Sequence, residues 1–126
     1  MRPEEGVHFA ICDYIRLAYA KVMFISESSG VRTSIGLASK LKRTRSNHVH
    51  CDLYILYPNS RYHGLILELK AKSIYQKKNP QLMLKDDHLA DQAETIKKLN
   101  LLGYFASFAC GFDEARSIID KYMTIK

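Results

Sequence analysis

Asp52-Leu-Tyr-Ile-Leu-Tyr57, a polar turn, and then Gly64-Leu-Ile-Leu-Glu68-Leu-Lys70 read as two apolar strands folded onto one another. Pro58-Asn-Ser, between them, is turn chemistry, because proline fixes its own φ and Asn and Ser bond their local backbone. Side chains alternate faces along a strand, so Glu68 and Lys70 point the same way. Their neighbours Leu65, Ile66, Leu67 and Leu69 are all apolar, which predicts a strand buried on both faces. An acid and a lysine in such a strand are costly unless paired or bound to a cation. In a hairpin, Asp52 at the start of the first strand lies opposite the end of the second, and the three charged groups converge. Two carboxylates and one ammonium at a point predict a divalent-cation site beside a group that handles a proton or clamps a phosphate.

Working outward, residues 4–20 carry Val7, Ala10, Ile11, Tyr14, Ile15 and Ala18 at helical spacing, with Pro3, Glu4 and Glu5 suited to a helix start. Val22-Met-Phe-Ile25 predicts a short strand broken by Ser26-Glu-Ser-Ser-Gly30. A second helix is expected over 33–43, with a basic end at Lys40, Lys42, Arg43 and Arg45. The central strands are placed at 51–57 and 64–71. Residues 72–85 form a basic loop with room for a short irregular strand pair. Asp86 or Asp87 caps a long helix reaching about Leu102, and Gly103 fits the position just beyond its end. Tyr104–Ala109 is a further strand, and Gly111-Phe-Asp-Glu opens a last helix to about Met123. The order α-β-α-β-β-α-β-α, without repeat or linker, predicts one α/β domain over 1–126: a central mixed β-sheet flanked by helices. The crossover through the long helix should set the last strand parallel to an earlier one.

The bulk numbers set bounds. A chain of 126 residues, 47% of them hydrophobic and 25% charged, is the size and composition of one ordinary soluble domain. A net charge of +6 and a pI near 9.3 favour an anionic partner such as nucleic acid. Cys12, Cys51 and Cys110 make no C-x-x-C spacing, so reduced thiols in a cytoplasmic protein are expected. There is no signal-peptide pattern and no apolar run of about 20 residues that would span a bilayer. His48, His50 and His88 have no second ligand cluster at zinc spacing.

Taken in order, these residues resemble the VRR-Nuc family of the PD-(D/E)xK nuclease superfamily, in its small stand-alone phage and prophage form. The stretches that carry the resemblance are Glu4-x-x-Val7, Asp13-Tyr-Ile-Arg-Leu-Ala18, Gly36 with its basic helix, and Cys51-Asp-Leu53. Tyr62-His-Gly-Leu-Ile-Leu-Glu-Leu-Lys70, His88-Leu-Ala-Asp-Gln92 and Gly111-Phe-Asp-Glu114 continue it over nearly the whole chain. The resemblance implies a restriction-endonuclease-like core and metal-dependent hydrolysis of DNA phosphodiesters. It implies that Asp52, Glu68 and the backbone carbonyl of Leu69 hold Mg²⁺ or Mn²⁺. Lys70 would position or activate water and offset phosphate charge. Glu4, with Glu5 as the alternative one residue on, would add an acid, and Gln92 would support the lysine or phosphate. It also implies a homodimer acting on branched or Holliday-junction-like DNA. One departure stands out: the family's proline before the aspartate is Cys51 here.

The residue types suit this chemistry independently. Mg²⁺ and Mn²⁺ prefer oxygen ligands and keep several waters, so two or three carboxylates suffice. Lys40, Lys42, Arg43, Arg45, Lys72, Lys77 and Lys78 flank the proposed site in sequence, as do Arg32 and Lys85. They either line a DNA groove or form an ordinary solvated face. Two alternatives stay open: a catalytically silent DNA-binding module with the same fold, motivated by Cys51, and a nuclease acting on RNA.

Overall fold

A computed structural model describes residues 3–27, 34–46, 48 and 50–126, with the side chain of Ala38 left aside. Helix α1 spans Pro3–Ala18, strand β1 Phe24–Ser26 and helix α2 Ile35–Arg43. Strands β2 (Leu53–Ile55) and β3 (Leu65–Lys70) follow, then helix α3 (Asp87–Leu101), strand β4 (Phe105–Cys110) and helix α4 (Phe112–Met123). The element order is the one expected from the sequence. Arg32 and the first residue of the expected second helix lie outside the described residues.

The strands form one mixed sheet in the order β1-β2-β3-β4. β1 with β2 and β2 with β3 are antiparallel. β3 and β4 are parallel, from Leu65↔Phe105 to Lys70↔Cys110, as the crossover through α3 requires. Strand alternation sorts the side chains into two layers. Leu53, Ile55, Leu65, Leu67 and Leu69 pack with Ile11 and Ile15 of α1 and with Ala115, Ile119 and Tyr122 of α4. On the opposite face Cys51, Ile66 and Ala106 meet Ile96 of α3.

Local chemistry sets the element ends. Asp86 caps α3 by accepting a hydrogen bond from the Leu89 N–H at 2.9 Å. Gly103 follows α3 with φ +97°, a conformation that L side chains rarely adopt. A Cβ there would lie 2.6 Å from the His63 ring. The tyrosine hydroxyls of Tyr14 and Tyr19 both donate to Oδ1 of Asp120 at 2.6 Å, tying α1 to α4. β2 is shorter than the expected 51–57, although its register with β1 continues one residue past each end. The Glu27 N–H donates to the Asp52 carbonyl at 2.7 Å, and the Leu56 N–H donates to Met23 at 2.9 Å. β1 is shifted toward Ser26 relative to the expected 22–25, since a turn closed by the Val22 N–H and the Tyr19 carbonyl (3.0 Å) consumes the first of those residues.

Candidate functional site

Register brings the first two carboxylates together. Leu53 pairs with Leu67, so Asp52 continues toward Glu68, one residue further along each strand. The Asp52 N–H donates to the Leu67 carbonyl at 3.1 Å. Its side-chain Oδ2 accepts the Leu69 N–H at 2.8 Å. Asp52 thus closes the hairpin with its side chain where the backbone ladder stops, and it is 7% exposed.

Glu68 shares the α3 face of β3 with Ile66 and Lys70, and only 4% of it is exposed. Gln92, on the second turn of α3 and equally buried, donates Nε2–H to Glu68 Oε1 at 2.8 Å. The Lys70 ammonium lies 4.0 Å from the same oxygen. Glu68 Oε2 and Gln92 Oε1 are buried without a hydrogen-bond partner among the described residues. Orphaned acceptors of this kind are costly, and the buried Glu68 carboxyl lies against that of Asp52.

Burial pushes the Glu68 carboxyl well above the usual carboxylate range. The neighbouring Asp52 adds to that push, Lys70 opposes it, and the Glu4 carboxylate contributes a smaller push of its own. Glu4 therefore feels the site from the first turn of α1. Both Glu4 and Glu5 line a cavity of about 780 Å³ together with Lys70, Lys72, Ile74, Leu84, Lys85, His88 and Leu89. Of the five groups singled out in the sequence, Glu4 and Lys70 line the cavity, while Glu68 joins Lys70 to Gln92 and lies beside Asp52. Among the described residues, no three His, Cys, Asp or Glu side chains form a closed ligand cluster.

The basic residues divide. Lys72 stands on the cavity wall beside Lys70. Lys77 and Lys78 are exposed on the loop beyond it, and Lys40, Lys42 and Arg43 are exposed on α2. Arg45 makes a contact within the protein. Its guanidinium is half-buried in an ion pair with Glu27, the residue whose N–H holds the Asp52 carbonyl. Lys85, one of the flanking cations, and His88, given no site role from sequence, also line the cavity.

Cys51, where the resemblance led one to expect proline, is 1% exposed. Its N–H, which proline would lack, donates to the Tyr54 hydroxyl at 3.0 Å. Burial, then Glu68 and Asp52, push its thiol up to about 12. Tyr54 is a residue that sequence reasoning missed. An aromatic in a strand is ordinary, and only the register reveals that its hydroxyl reaches the loop before Asp52.

Neither a protein-family model nor a curated protein matches this sequence. A solved structure described as a VRR_NUC domain protein does match, with a TM-score of 0.68 over 99% of this chain and 91% of that one, at 22% identity. The chain has the VRR_NUC fold. The site above lies at the end of its central strands. No helix among the described residues is long and apolar enough to cross a membrane.

Proposed function

We propose that the protein is a Mg²⁺- or Mn²⁺-dependent endonuclease hydrolysing DNA phosphodiesters. The observation that carries this reading is the buried pair Asp52 and Glu68, with the orphaned Glu68 Oε2 and Lys70 beside it. The donor set fits a hard cation. It offers two carboxylates and the carbonyl of Leu69, which leaves its strand on the same edge as the N–H held by Asp52. Glu4 lines the cavity that Lys70 also lines, and Mg²⁺ keeps several of its waters, so few protein ligands suffice. When bound, such an ion would supply Lewis-acid stabilisation of phosphate charge and a more acidic water.

The remaining steps belong to the chain's own residues. Asp52, fixed by the Leu69 N–H, presents its carboxylate in a single orientation. Gln92 holds Glu68 through Oε1 and leaves Oε2 without a hydrogen-bond donor among the described residues. The Lys70 ammonium is a compact charge that orients the attacking water and offsets the phosphate. Lys72 and Lys85 extend that positive wall along the cavity.

A domain of this size has little surface for reading a long sequence, so the substrate is recognised by shape: branched DNA, including four-way junctions. Two symmetric nicks in a junction call for a symmetric homodimer, of the phage or prophage type. The test is a set of labelled four-way junction, flap and linear duplex DNAs of matched sequence, each with a matched RNA, incubated with Mg²⁺, Mn²⁺ or chelator. Metal-dependent cutting of the branched DNAs above the others supports the proposal. Binding without any cutting would assign the fold to a silent DNA-binding module, and preference for RNA would reassign the substrate.

A further inference from the structure

Residues 71–85 form an arm beside the cavity. Tyr75 pairs with Met83 across it as an antiparallel bridge. The Leu84 N–H donates to the Ile74 carbonyl at 2.8 Å, and the Gln76 N–H to the Leu82 carbonyl at 2.9 Å. The Gln76 side chain adds a bond to the Met83 carbonyl at 3.0 Å. The tip, Lys77-Lys78-Asn79-Pro80, is closed by the Leu82 N–H donating to Asn79 at 3.0 Å. The arm contains Lys72, Lys77, Lys78 and Lys85 and no Asp or Glu.

Alternation gives the arm two faces. Ile74 and Leu84, opposite one another, line the cavity next to Lys70, and Gln76 and Leu82 continue the same face toward the tip. Tyr75 and Met83 occupy the other. Ile74 is buried, but Leu84 is 47% exposed and Leu82 52% exposed. Phosphate binding explains the lysines and leaves two leucines on the cavity face without a use. Leu84 faces a cavity that holds Glu4, Glu5 and Asp86 beside its lysines, but the arm's own charges are all positive, so Leu82, near the Lys77-Lys78 tip, suits a ligand that carries negative charge and a flat apolar surface together. An unpaired nucleotide is such a ligand, whereas in a closed duplex the base faces are covered by stacking.

We propose that this arm is a wedge for DNA branch points: the lysines hold phosphates while Leu82 and Leu84 pack on a base or sugar of the unpaired strand beside the scissile phosphate. The inference rests on the nuclease reading above and specifies what that site selects. At about 3.3 Å per extended residue, the run from Ile74 to Lys78 spans roughly 13 Å. That is about three to four nucleotide steps at ~3.4 Å per step. Apolar side chains inserted between bases are an established means of opening a duplex.

The experiment uses a flap junction and a fully paired duplex of the same sequence, with 2-aminopurine at the branch. Binding is read by fluorescence in the Lys70→Ala background, and cleavage is read in the otherwise wild-type protein with Mn²⁺. The wedge predicts that binding changes the 2-aminopurine signal and that Leu82→Ala removes the change. Leu82→Ala should also lower the flap-over-duplex cleavage ratio about tenfold, the scale of losing one base contact. Leu102→Ala, at a leucine more exposed than Leu82 and just past the end of α3, should leave that ratio intact. Replacing Lys77 and Lys78 together by Ala should weaken binding to both DNAs and flatten the salt dependence.

An equal loss on both DNAs, or a 2-aminopurine signal that never changes, would overturn the wedge. So would dissociation of an oligomer by Leu82→Ala in sedimentation, which would assign the leucines to a contact between copies of the chain. If the wild type cuts no substrate while the Leu82-dependent signal remains, the nuclease reading falls and the branch-binding arm stands.

Discussion

The two faces of β3 follow different rules within six residues. On one, Leu65, Leu67 and Leu69 are each at most 1% exposed and pack against α1 and α4. On the other, Ile66 gives way to Glu68 and Lys70, which meet Gln92 of α3 and, across the hairpin, Asp52. One face is closed by apolar burial, which is favourable wherever it can be had. The opposite face buries groups that resist it, leaving Glu68 Oε2 and Gln92 Oε1 without hydrogen-bond partners among the described residues. The contrast teaches where the stability resides and where it is given up. The leucine face holds β3 straight, so that its polar face can keep a costly geometry.

The sharpest way to break this contrast is to change one residue on each face. Lys70→Ala should lower metal-dependent DNA cleavage by roughly 10²–10³-fold, the usual cost of removing one fixed charge-stabilising group. Its circular-dichroism spectrum and melting should remain near wild type. Leu67→Ala, one turn of the pleat away and pointing oppositely, should do the reverse. It should lose about 2–5 kcal/mol of stability through the cavity it leaves, seen in urea unfolding, while cleavage per folded molecule survives.

A pH series sharpens the comparison further. The Glu68 carboxyl is raised by burial and by Asp52, so the folded protein holds that proton more tightly than the unfolded chain. Its stabilising contribution is complete below the ordinary carboxylate range and is lost as pH rises through the elevated folded value. In chelator, the wild type should therefore melt at progressively lower temperature from about pH 5 upward. Glu68→Gln should flatten that slope and exceed the wild type in stability at alkaline pH, while losing cleavage. Added Mg²⁺ or Mn²⁺ should restore the wild type alone. A smaller effect is expected at the loop before Asp52. Tyr54→Phe leaves the buried Cys51 N–H without its acceptor, at about 1–3 kcal/mol, and should weaken metal activation more than it weakens DNA binding.

Much of the leucine face was legible because burial writes itself as period and alternation. The helices of 4–20 and 86–102 and the strand of 64–71 were recovered within a few residues. The convergence of Asp52, Glu68 and Lys70 was also legible, because hairpin register depends on few residues. What escaped needed the chain's path in space. Arg45 reads as one more cation in a basic run, and only the fold reveals Glu27 beside it. The Tyr54 hydroxyl has no sequence signal. Glu4 and Glu5 could not be separated by spacing, and both line the cavity, although Glu4 is the one whose charge acts on Glu68. The arm of 72–85 was visible as a basic loop, but the sorting of its leucines onto the cavity side follows from the Tyr75–Met83 bridge.

The central claim is that the polar face of β3 is a metal-dependent nuclease site, and nicking of supercoiled plasmid tests it most directly. Wild type and Lys70→Ala would be incubated side by side with Mg²⁺, Mn²⁺ or EDTA. The account predicts relaxed plasmid with wild type and metal only, and intact supercoils in every Lys70→Ala lane. Nicking that persists in EDTA, or that Lys70→Ala carries out as well as the wild type, would contradict it.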